Sequence, residues 1–128
     1  MKREVEDRLK TLVKKGVCSL DELDSYVRKL KRVLERSFSE EECKKISEFY
    51  KALSDPTRVR ILKMLNMRRM CVCELTAVLD LSQPTITHHL KIMERAKLIR
   101  PRKKGKLTYY EVIDPSIVKN MEEVLKRK

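Results

Sequence analysis

Length, composition and charge set the first limits on this chain of 128 residues. Hydrophobic residues make up 41% of it, which is enough for a packed core and excludes wholesale disorder. No stretch reaches the roughly 20 apolar residues that a membrane-spanning helix needs, and the N-terminus leads into an amphipathic segment rather than a signal peptide. We therefore expect a cytoplasmic protein whose four cysteines are free thiols, ligands or redox switches and not structural disulfides.

The net charge of +12 is concentrated in one part of the chain. Residues 1–54 carry 14 basic and 11 acidic side chains, whereas residues 55–114 carry 13 basic and 6 acidic ones. From Arg95 to Lys106 there are seven Lys and Arg side chains and no acid. A focused positive charge of this kind is typical of a surface that binds phosphates.

Three helices are predicted before residue 55, the first over residues 2–15. Ser19 with Glu22 and Ser39 with Glu42 form two capping boxes, each of which opens a further helix. The apolar face of the first helix consists of Val5, Leu9, Leu12 and Val13. That of the second consists of Leu20, Leu23, Tyr26, Val27, Leu30, Val33 and Leu34, a seam suited to packing on another helix. The third has Cys43, Ile46, Phe49, Tyr50 and Leu53 on one side, where Cys43 is expected to be a small core residue.

A helix-turn-helix unit is predicted in the middle of the chain. Asp55 and Pro56 cap a short helix, and a second helix follows over Cys71–Leu79. After a turn, Ser82 caps another helix that continues to about Arg95. The side chains expected to face inward are Leu75 and Val78, then Ile86, His89 or Leu90, and Met93.

The pattern then changes from helical to strand-like. Residues 98–101 and 107–113 flank a basic turn with Gly105 and predict a β-hairpin, and Asp114 with Pro115 caps a last helix. We predict a mainly α fold with a small β-hairpin, a winged helix-turn-helix with extra N-terminal helices. Residues 1–38 are interpreted as an N-terminal helical extension, and residues 39–128 as the winged helix-turn-helix DNA-binding domain.

In a helix-turn-helix, the N-terminal part of the second helix approaches base edges in the major groove. Its candidate DNA-binding residues are Gln83, Thr85, Thr87, His88 and Lys91. Gln reads adenine, while Lys or His reaches guanine acceptors or phosphate. The candidate contacts of the hairpin, or wing, are Arg102, Lys103, Lys104 and Lys106. Such a run is by itself often only a solvated charge cluster, but its position after a helix-turn-helix favours DNA.

Four separated motifs in this chain resemble the ArsR-type, or arsenic-repressor, family of winged-helix regulators. They are Ala52–Arg58 with Arg60–Leu62, Cys71–Leu75, Leu81–Leu90 and Lys97–Ile99. The resemblance covers about residues 44–125 and implies a homodimeric repressor that binds a palindromic double-stranded DNA operator and releases it on binding an effector. It also implies a dimeric fold that dimerises through terminal helices, here residues 115–127 and the N-terminal helices. Residues 1–38 would then be a dimerisation extension or arm, and the last helix of residues 39–128 a C-terminal dimer helix. By the same resemblance His88 lies on the DNA face and His89 packs inside.

Cys71 and Cys73 form a C-x-C at the start of a helix, where the helix dipole favours an accessible thiolate. A thiolate pair suits As(III), Cd, Pb or Zn, and many members of the resembled family bind thiophilic ions at these positions. Such ions generally need three or four ligands, so we name Cys18 as a candidate third ligand. The family's other site is not expected, because Ser116 stands where it has a His.

Three functions remain open on the sequence. The first is a repressor that a thiophilic metal or metalloid releases from DNA, with no cofactor required. The alternatives are a thiol redox-switched or constitutive winged-helix regulator without a metal effector, and an interaction module that uses the N-terminal helices. An enzyme is not expected, since no catalytic constellation appears and the chain has only two glycines, too few for a Gly-rich phosphate loop.

Overall fold

The computed structural model describes residues 7, 8, 10, 11, 14–16 and 19–127. Before residue 15 the described residues are helical, and Lys15 and Gly16 form a turn. The side chains Val5, Leu9, Leu12 and Val13 of the predicted first helix, and Cys18, lie outside the described residues.

Six helices and three strands have defined bounds within the described residues. In chain order they are α1 (Leu20–Ser37), α2 (Glu40–Ala52), α3 (Pro56–Met67), β1 (Met70–Cys71), α4 (Val72–Leu79), α5 (Gln83–Arg95), β2 (Ile99–Lys104), β3 (Leu107–Val112) and α6 (Ser116–Lys126). The mainly α fold with a β-hairpin is confirmed. No helix in the described part of the chain is both long and apolar enough to cross a membrane.

The chain forms two compact units, residues 1–44 and 45–128. The first unit contains α1 and the start of α2, and the second contains the winged helix-turn-helix elements. The predicted functional division between residues 38 and 39 stays a prediction.

The core of the second unit is built from the inner faces of its helices and the base of its hairpin. The fully buried side chains are Ile61, Leu62, Leu75, Ile86, Leu90, Met93, Leu98 and Ile99. They are contributed by α3, α4, α5, the bend at Leu98 and the start of β2, so each element of the helix-turn-helix is fixed by the same cluster. At about 1.5–3 kcal/mol for each large apolar side chain removed from water, this cluster dominates the stability of the unit.

The sheet has three strands in the order β1-β3-β2, one more than the predicted hairpin. β2 and β3 pair antiparallel from Ile99 opposite Val112 to Lys104 opposite Leu107. β1 adds only two residues to the other edge of β3, and places Cys71 opposite Tyr109. The predicted helix over residues 71–79 therefore begins one residue later, because Cys71 belongs to this strand and precedes the helix as its N-cap.

The helix starts follow the predicted caps. Ser19 and Glu22 form the complete capping box of α1, and the Asp55 carboxylate accepts the backbone N–H of Arg58 at 3.0 Å at the start of α3. At α2 the Ser39 hydroxyl accepts a backbone N–H, that of Glu42, at 3.2 Å. Each cap satisfies a helix N–H group that has no partner within the helix.

Two expectations about burial are wrong. Val78 was expected to face inward, but it is exposed, because Leu75 is the one residue that the short helix α4 buries in the core. Cys43 was expected in a core, but it is exposed, because α2 buries only Ala52 near its end.

Candidate nucleic-acid interface and thiol pair

The turn between α4 and α5 sets the angle of the second helix. Asp80 ends α4 in the left-handed region at φ 54, and Ser82 caps α5. Asp is one of the few non-glycine residues that adopts this conformation readily, because its short side chain can bond locally. The turn leaves α4 and α5 packed on each other as a helix-turn-helix.

The outer face of α5 carries the predicted base-reading residues. Gln83, Thr85, His88 and Lys91 are exposed, whereas Thr87 is half-buried. Their counterparts on the inner face, Ile86, Leu90 and Met93, are buried. The helical period of 3.6 residues separates the two sets, so packing of the apolar side presents the polar side to solvent.

Two of these side chains are already engaged within the protein. The hydroxyl groups of Ser82 and Thr85 lie 2.8 Å apart and share a hydrogen bond, which directs part of the Thr85 hydroxyl to the helix cap. His88 lies beside His89, with ring centroids 5.9 Å apart. The His88 ring faces solvent, and the His89 ring is half-buried.

His89 is held by a contact that sequence reasoning missed. The Arg58 guanidinium donates from Nη1 to His89 Nδ1 at 3.3 Å and from Nε to the Ala52 carbonyl at 2.7 Å. Because a guanidinium has only donors, His89 Nδ1 must be the unprotonated nitrogen. Burial lowers the pKa of His89, and the Arg58 cation and the neighbouring His88 lower it further, against the opposing effect of Asp55. The contact joins the start of α3 and the end of α2 to α5.

The hairpin extends from the core as a basic wing. Gly105 and Lys106 form its two-residue loop, and Gly105 has φ 65. Two-residue hairpin loops need a positive φ at the first loop position, which glycine adopts without steric cost. The base of the wing packs against α5 through β2, so α5 and the wing are held in place by the same contacts.

Arg102 differs from the lysines of the wing. Both Arg100 Nε, at 2.9 Å, and Arg102 Nε donate to the same Glu111 carboxylate oxygen. These hydrogen bonds, that of Arg102 above all, lower the pKa of Glu111. Cross-strand pairing explains the arrangement, since Arg100 lies directly opposite Glu111 in the hairpin. The predicted Arg102 site is therefore ion-paired in this structure.

The three lysines of the wing are the cations left available. Lys103, Lys104 and Lys106 are exposed, and within the described part of the chain none of them has an ion pair. A lysine carries its ammonium group on a long flexible side chain, which suits contacts to DNA phosphates that do not depend on the base sequence.

The two thiols of the C-x-C differ in environment. Cys71 is buried at the junction of β1 and α4, and its N–H donates to the Glu74 carboxylate at 3.1 Å. The backbone and thiol of Cys71 lower the pKa of Glu74. Cys73, one residue into α4, is exposed. Of the two thiols, only that of Cys73 is therefore exposed, while Cys71 is buried in the strand that pairs with β3.

The donor set for a soft ion is incomplete within the described residues. No group of three or more His, Cys, Asp or Glu side chains there is arranged to hold a metal ion. Cys71 and Cys73 supply two sulfur donors of the type that thiophilic ions prefer, and Cys18 lies outside the described residues. A complete site needs at least one ligand from elsewhere.

A helix whose apolar side is buried and whose polar side is exposed, followed by a basic hairpin, defines a winged-helix DNA-binding protein. The family model described as "Bacterial regulatory protein, arsR family" matches residues 55–100. An HTH-type transcriptional regulator of Methanocaldococcus jannaschii is 40% identical over 88 residues, which are 66% of this chain and 99% of that protein.

Two further relatives carry more specific names. The arsenical resistance operon repressor of Staphylococcus xylosus is 38% identical over 69 residues, which cover 54% of this chain and 66% of that one. The CadC homolog of Staphylococcus aureus, named as a cadmium resistance transcriptional regulatory protein, is 34% identical over 79 residues, 61% of this chain and 65% of that one.

Solved structures support the same fold. Rv0081 of M. tuberculosis is 30% identical with a TM-score of 0.62, and the match covers 69% of this chain and 89% of that one. The homodimeric winged helix-turn-helix domain of Mb0332 from Mycobacterium bovis has a TM-score of 0.64 at 18% identity, covering 70% of this chain and 82% of that one. The second likeness is one of fold alone.

The chain belongs to the ArsR family of regulatory proteins. It is a DNA-binding transcriptional regulator and not an enzyme.

Proposed function

We propose that this protein is a dimeric transcriptional repressor that reads a palindromic operator with α5 and holds the DNA backbone with its wing. The observation that carries the proposal is the division of α5 into a buried apolar side and an exposed side with Gln83, His88 and Lys91. The N-terminus of α5 also offers backbone N–H groups to a phosphate. Within residues 45–127, no other surface combines an exposed polar helix face with an adjoining basic hairpin.

Base readout is assigned to the first two turns of α5. Gln83 can bond adenine twice, with its amide oxygen accepting and its amide nitrogen donating, and Lys91 can reach guanine acceptors or phosphate two turns later. Thr85 has its hydroxyl bonded to Ser82 and therefore presents its methyl to a thymine. Thr87, half-buried, makes the shallowest contribution, while His88 extends the face beside it.

Backbone binding is assigned to the wing lysines at positions 103, 104 and 106. Arg102 reaches a phosphate only by leaving or sharing Glu111, so we assign it a smaller contribution than the lysines. Each phosphate neutralised should lower log K by about 0.9 per tenfold increase in salt.

Fluorescence anisotropy of the protein on DNA from its own promoter tests this division of roles. Gln83→Ala should weaken specific binding by on the order of 1–3 kcal/mol and leave random DNA nearly unchanged. Lys103→Ala should weaken both DNAs alike and reduce the salt slope. A salt-independent affinity would refute the DNA interface, and equal losses on both DNAs for Gln83→Ala would remove it from base readout.

We assign the effector site to Cys71 and Cys73, with Cys18 as a candidate third ligand. The names of the arsenical and cadmium resistance relatives support a thiophilic effector such as As(III), Cd, Pb or Zn. The position of Cys71 supports a coupling to DNA, since it is both paired with the wing strand at Tyr109 and the residue that opens α4. Displacing Cys71 therefore acts on the wing and on the helix that supports α5. Oxidation of the thiols is the second candidate, favoured by the exposure of Cys73.

An arsenite titration of the reduced protein on its promoter DNA tests the effector. Arsenite should release the wild-type protein, whereas Cys71→Ser and Cys73→Ser variants should stay bound. Cys43→Ser is the matched control, because Cys43 is an exposed thiol outside the pair and its loss should change nothing. Release that persists without Cys71 and Cys73 would overturn the assignment. Release by a mild oxidant but not by arsenite would favour the redox switch.

Dimerisation through the terminal helices completes the proposal. Val124 and Leu125 near the end of α6 are exposed, as expected for residues that contact a second copy. The homodimeric Mb0332 domain has the same fold. A twofold dimer presents two copies of α5 to DNA, which is why we propose a palindromic operator. We place the protein in the cytoplasm, where it would meet its DNA.

A further inference from the structure

The helix α1 carries an apolar seam with the spacing of a coiled coil. Its seam residues are Leu20, Leu23, Val27, Leu30 and Leu34, which alternate steps of three and four residues. This spacing gives positions a and d of a heptad over the whole helix, about 27 Å long. Tyr26 and Val33, at the flanking g positions, widen the same face.

Most of the seam is uncovered within the described residues. No side chain of α1 is buried; Leu23 and Val27 are half-buried, while Leu20 and Leu34 are 62% and 56% exposed. Seven large apolar side chains on one face of an 18-residue helix are costly to leave in water.

The charges of α1 indicate which partner covers the seam. The first two turns contain the acidic residues Asp21, Glu22 and Asp24 and no base. The following turns carry five basic side chains against the single acid Glu35. Two copies that run antiparallel place the acidic end of each over the basic part of the other, while two parallel copies align like with like.

We propose that α1 pairs with α1 of a second copy of this chain as an antiparallel coiled coil centred between Arg28 and Lys29. In this register the central layers are Val27 against Leu30 and Leu23 against Leu34, each occurring twice by symmetry. The flanking e positions then bring Asp24 opposite Lys31, and the g positions bring Tyr26 opposite Val33. Every seam position except Ser37, which meets Leu20, is apolar.

The ion pair that Asp24 already makes is compatible with this register. Within the helix Arg28 donates to one carboxylate oxygen of Asp24, and both side chains are largely exposed. A carboxylate has about four acceptor sites, so the Lys31 ammonium of the second copy can share it. The inference extends the proposed homodimer by a defined contact and orientation, and it does not depend on DNA binding.

Charge reversal in the full-length protein tests the orientation. Asp24→Lys places two lysines together across the pair, and Lys31→Asp places two aspartates together. Each should raise the dimer dissociation constant about tenfold, and the double variant should restore it, measured by sedimentation with fluorescence detection. Asp21→Lys and Lys29→Asp are matched controls at positions outside the seam and should have much smaller effects.

The outcomes separate this pairing from its rivals. Additive losses without rescue would overturn the antiparallel register, since residues 24 and 31 do not face each other in a parallel pair. Unchanged dissociation constants in both single variants would show that another surface covers α1. Because circular dichroism of each variant reports helix content, an unfolded α1 is recognised separately.

A substitution within the seam supplies the second measurement. Leu30→Gln puts two amides into the central layers and should raise the dimer dissociation constant by about tenfold or more, whereas Arg32→Gln on the outer face should not. A fall in the monomer's thermal stability without a change in dimerisation would mean that the seam packs within its own chain, and would refute the proposal. If the wild type failed to bind promoter DNA, the proposed function would be contradicted, but the dimerisation results would remain valid.

Discussion

The helices α1 and α5 resemble each other in sequence pattern and differ in what their apolar faces contact. Both begin after a serine cap, Ser19 or Ser82, and both carry one apolar stripe. In α5 the stripe is buried to within 1% of full burial at Ile86, Leu90 and Met93. In α1 no residue is buried. A cap and an apolar stripe thus determine that a helix forms and which of its sides is apolar, whereas burial of that side depends on a partner.

The largest expected difference between the two helices lies in their leucines. Leu90→Ala should lower the free energy of unfolding by about 2–5 kcal/mol, because it leaves a cavity in the core. Leu20→Ala removes the same atoms from a side chain that is 62% exposed in the single chain and that meets only Ser37 at the end of the proposed helix pair, so it should cost about 1 kcal/mol or less. Urea unfolding of the two variants measures the difference. Equal losses would contradict the distinction and imply that Leu20 is packed as tightly as the core leucine.

The two serine caps should differ in what their loss reports. Ser82→Ala removes the acceptor for the Thr85 N–H and should lower the free energy of unfolding by about 0.5–2 kcal/mol. Ser19→Ala should lower the helix content of α1 by circular dichroism but leave urea unfolding of the core unchanged. A loss of core stability on Ser19→Ala would show that α1 unfolds together with the second unit.

His89 gives α5 a pH dependence of smaller size. Its pKa is lowered in the folded protein, so folding favours the neutral ring and the hydrogen bond from Arg58. This stability is present above the unfolded pKa of about 6.5 and is lost as pH falls through the folded pKa. His89→Gln keeps an acceptor for Arg58 without titrating, and should remove this step from unfolding curves recorded between pH 7.5 and 5. An unchanged profile would assign the step to another group.

The smallest effect is expected at the helix ends. Lys97, just after α5, has φ 60, a left-handed conformation that costs a residue with a Cβ about 1 kcal/mol. Lys97→Gly relieves this but adds chain entropy to the unfolded state, for a net gain of roughly 0.5 kcal/mol. Phe38 at the end of α1 has φ −137, so Phe38→Gly is the control and should bring no gain. Thermal unfolding of both variants decides, and an equal gain would exclude the conformational explanation.

Local signals in the sequence were sufficient for most of the elements. Ser82 as the cap of α5, its end near Arg95 and the strands around Gly105 were predicted and are confirmed. Each depends on side chains within about four residues of the feature, through caps, helical periodicity or a glycine at a positive φ. The exposed face of α5 follows from the same period, although the DNA contacts of its residues stay predictions.

The errors lie where distant segments meet. The strand β1 has two residues, too few for a periodic pattern, and it exists because β3, almost 40 residues later, offers an unpaired edge. Cys71 lies in this strand and is buried. Arg58 was recognised within a motif, but its bond to His89 spans 31 residues and has no local signal.

The sequence by itself determined the helices, the hairpin, the basic charge of the wing and the family to which the chain belongs. Only the tertiary structure decided which apolar stripe is buried, that both arginines of β2 pair with Glu111, and which thiol is buried. The physical reason is that capping and periodicity act over a few neighbouring residues. Burial and ion pairing, by contrast, depend on what the rest of the chain, or a second copy of it, brings to the same place.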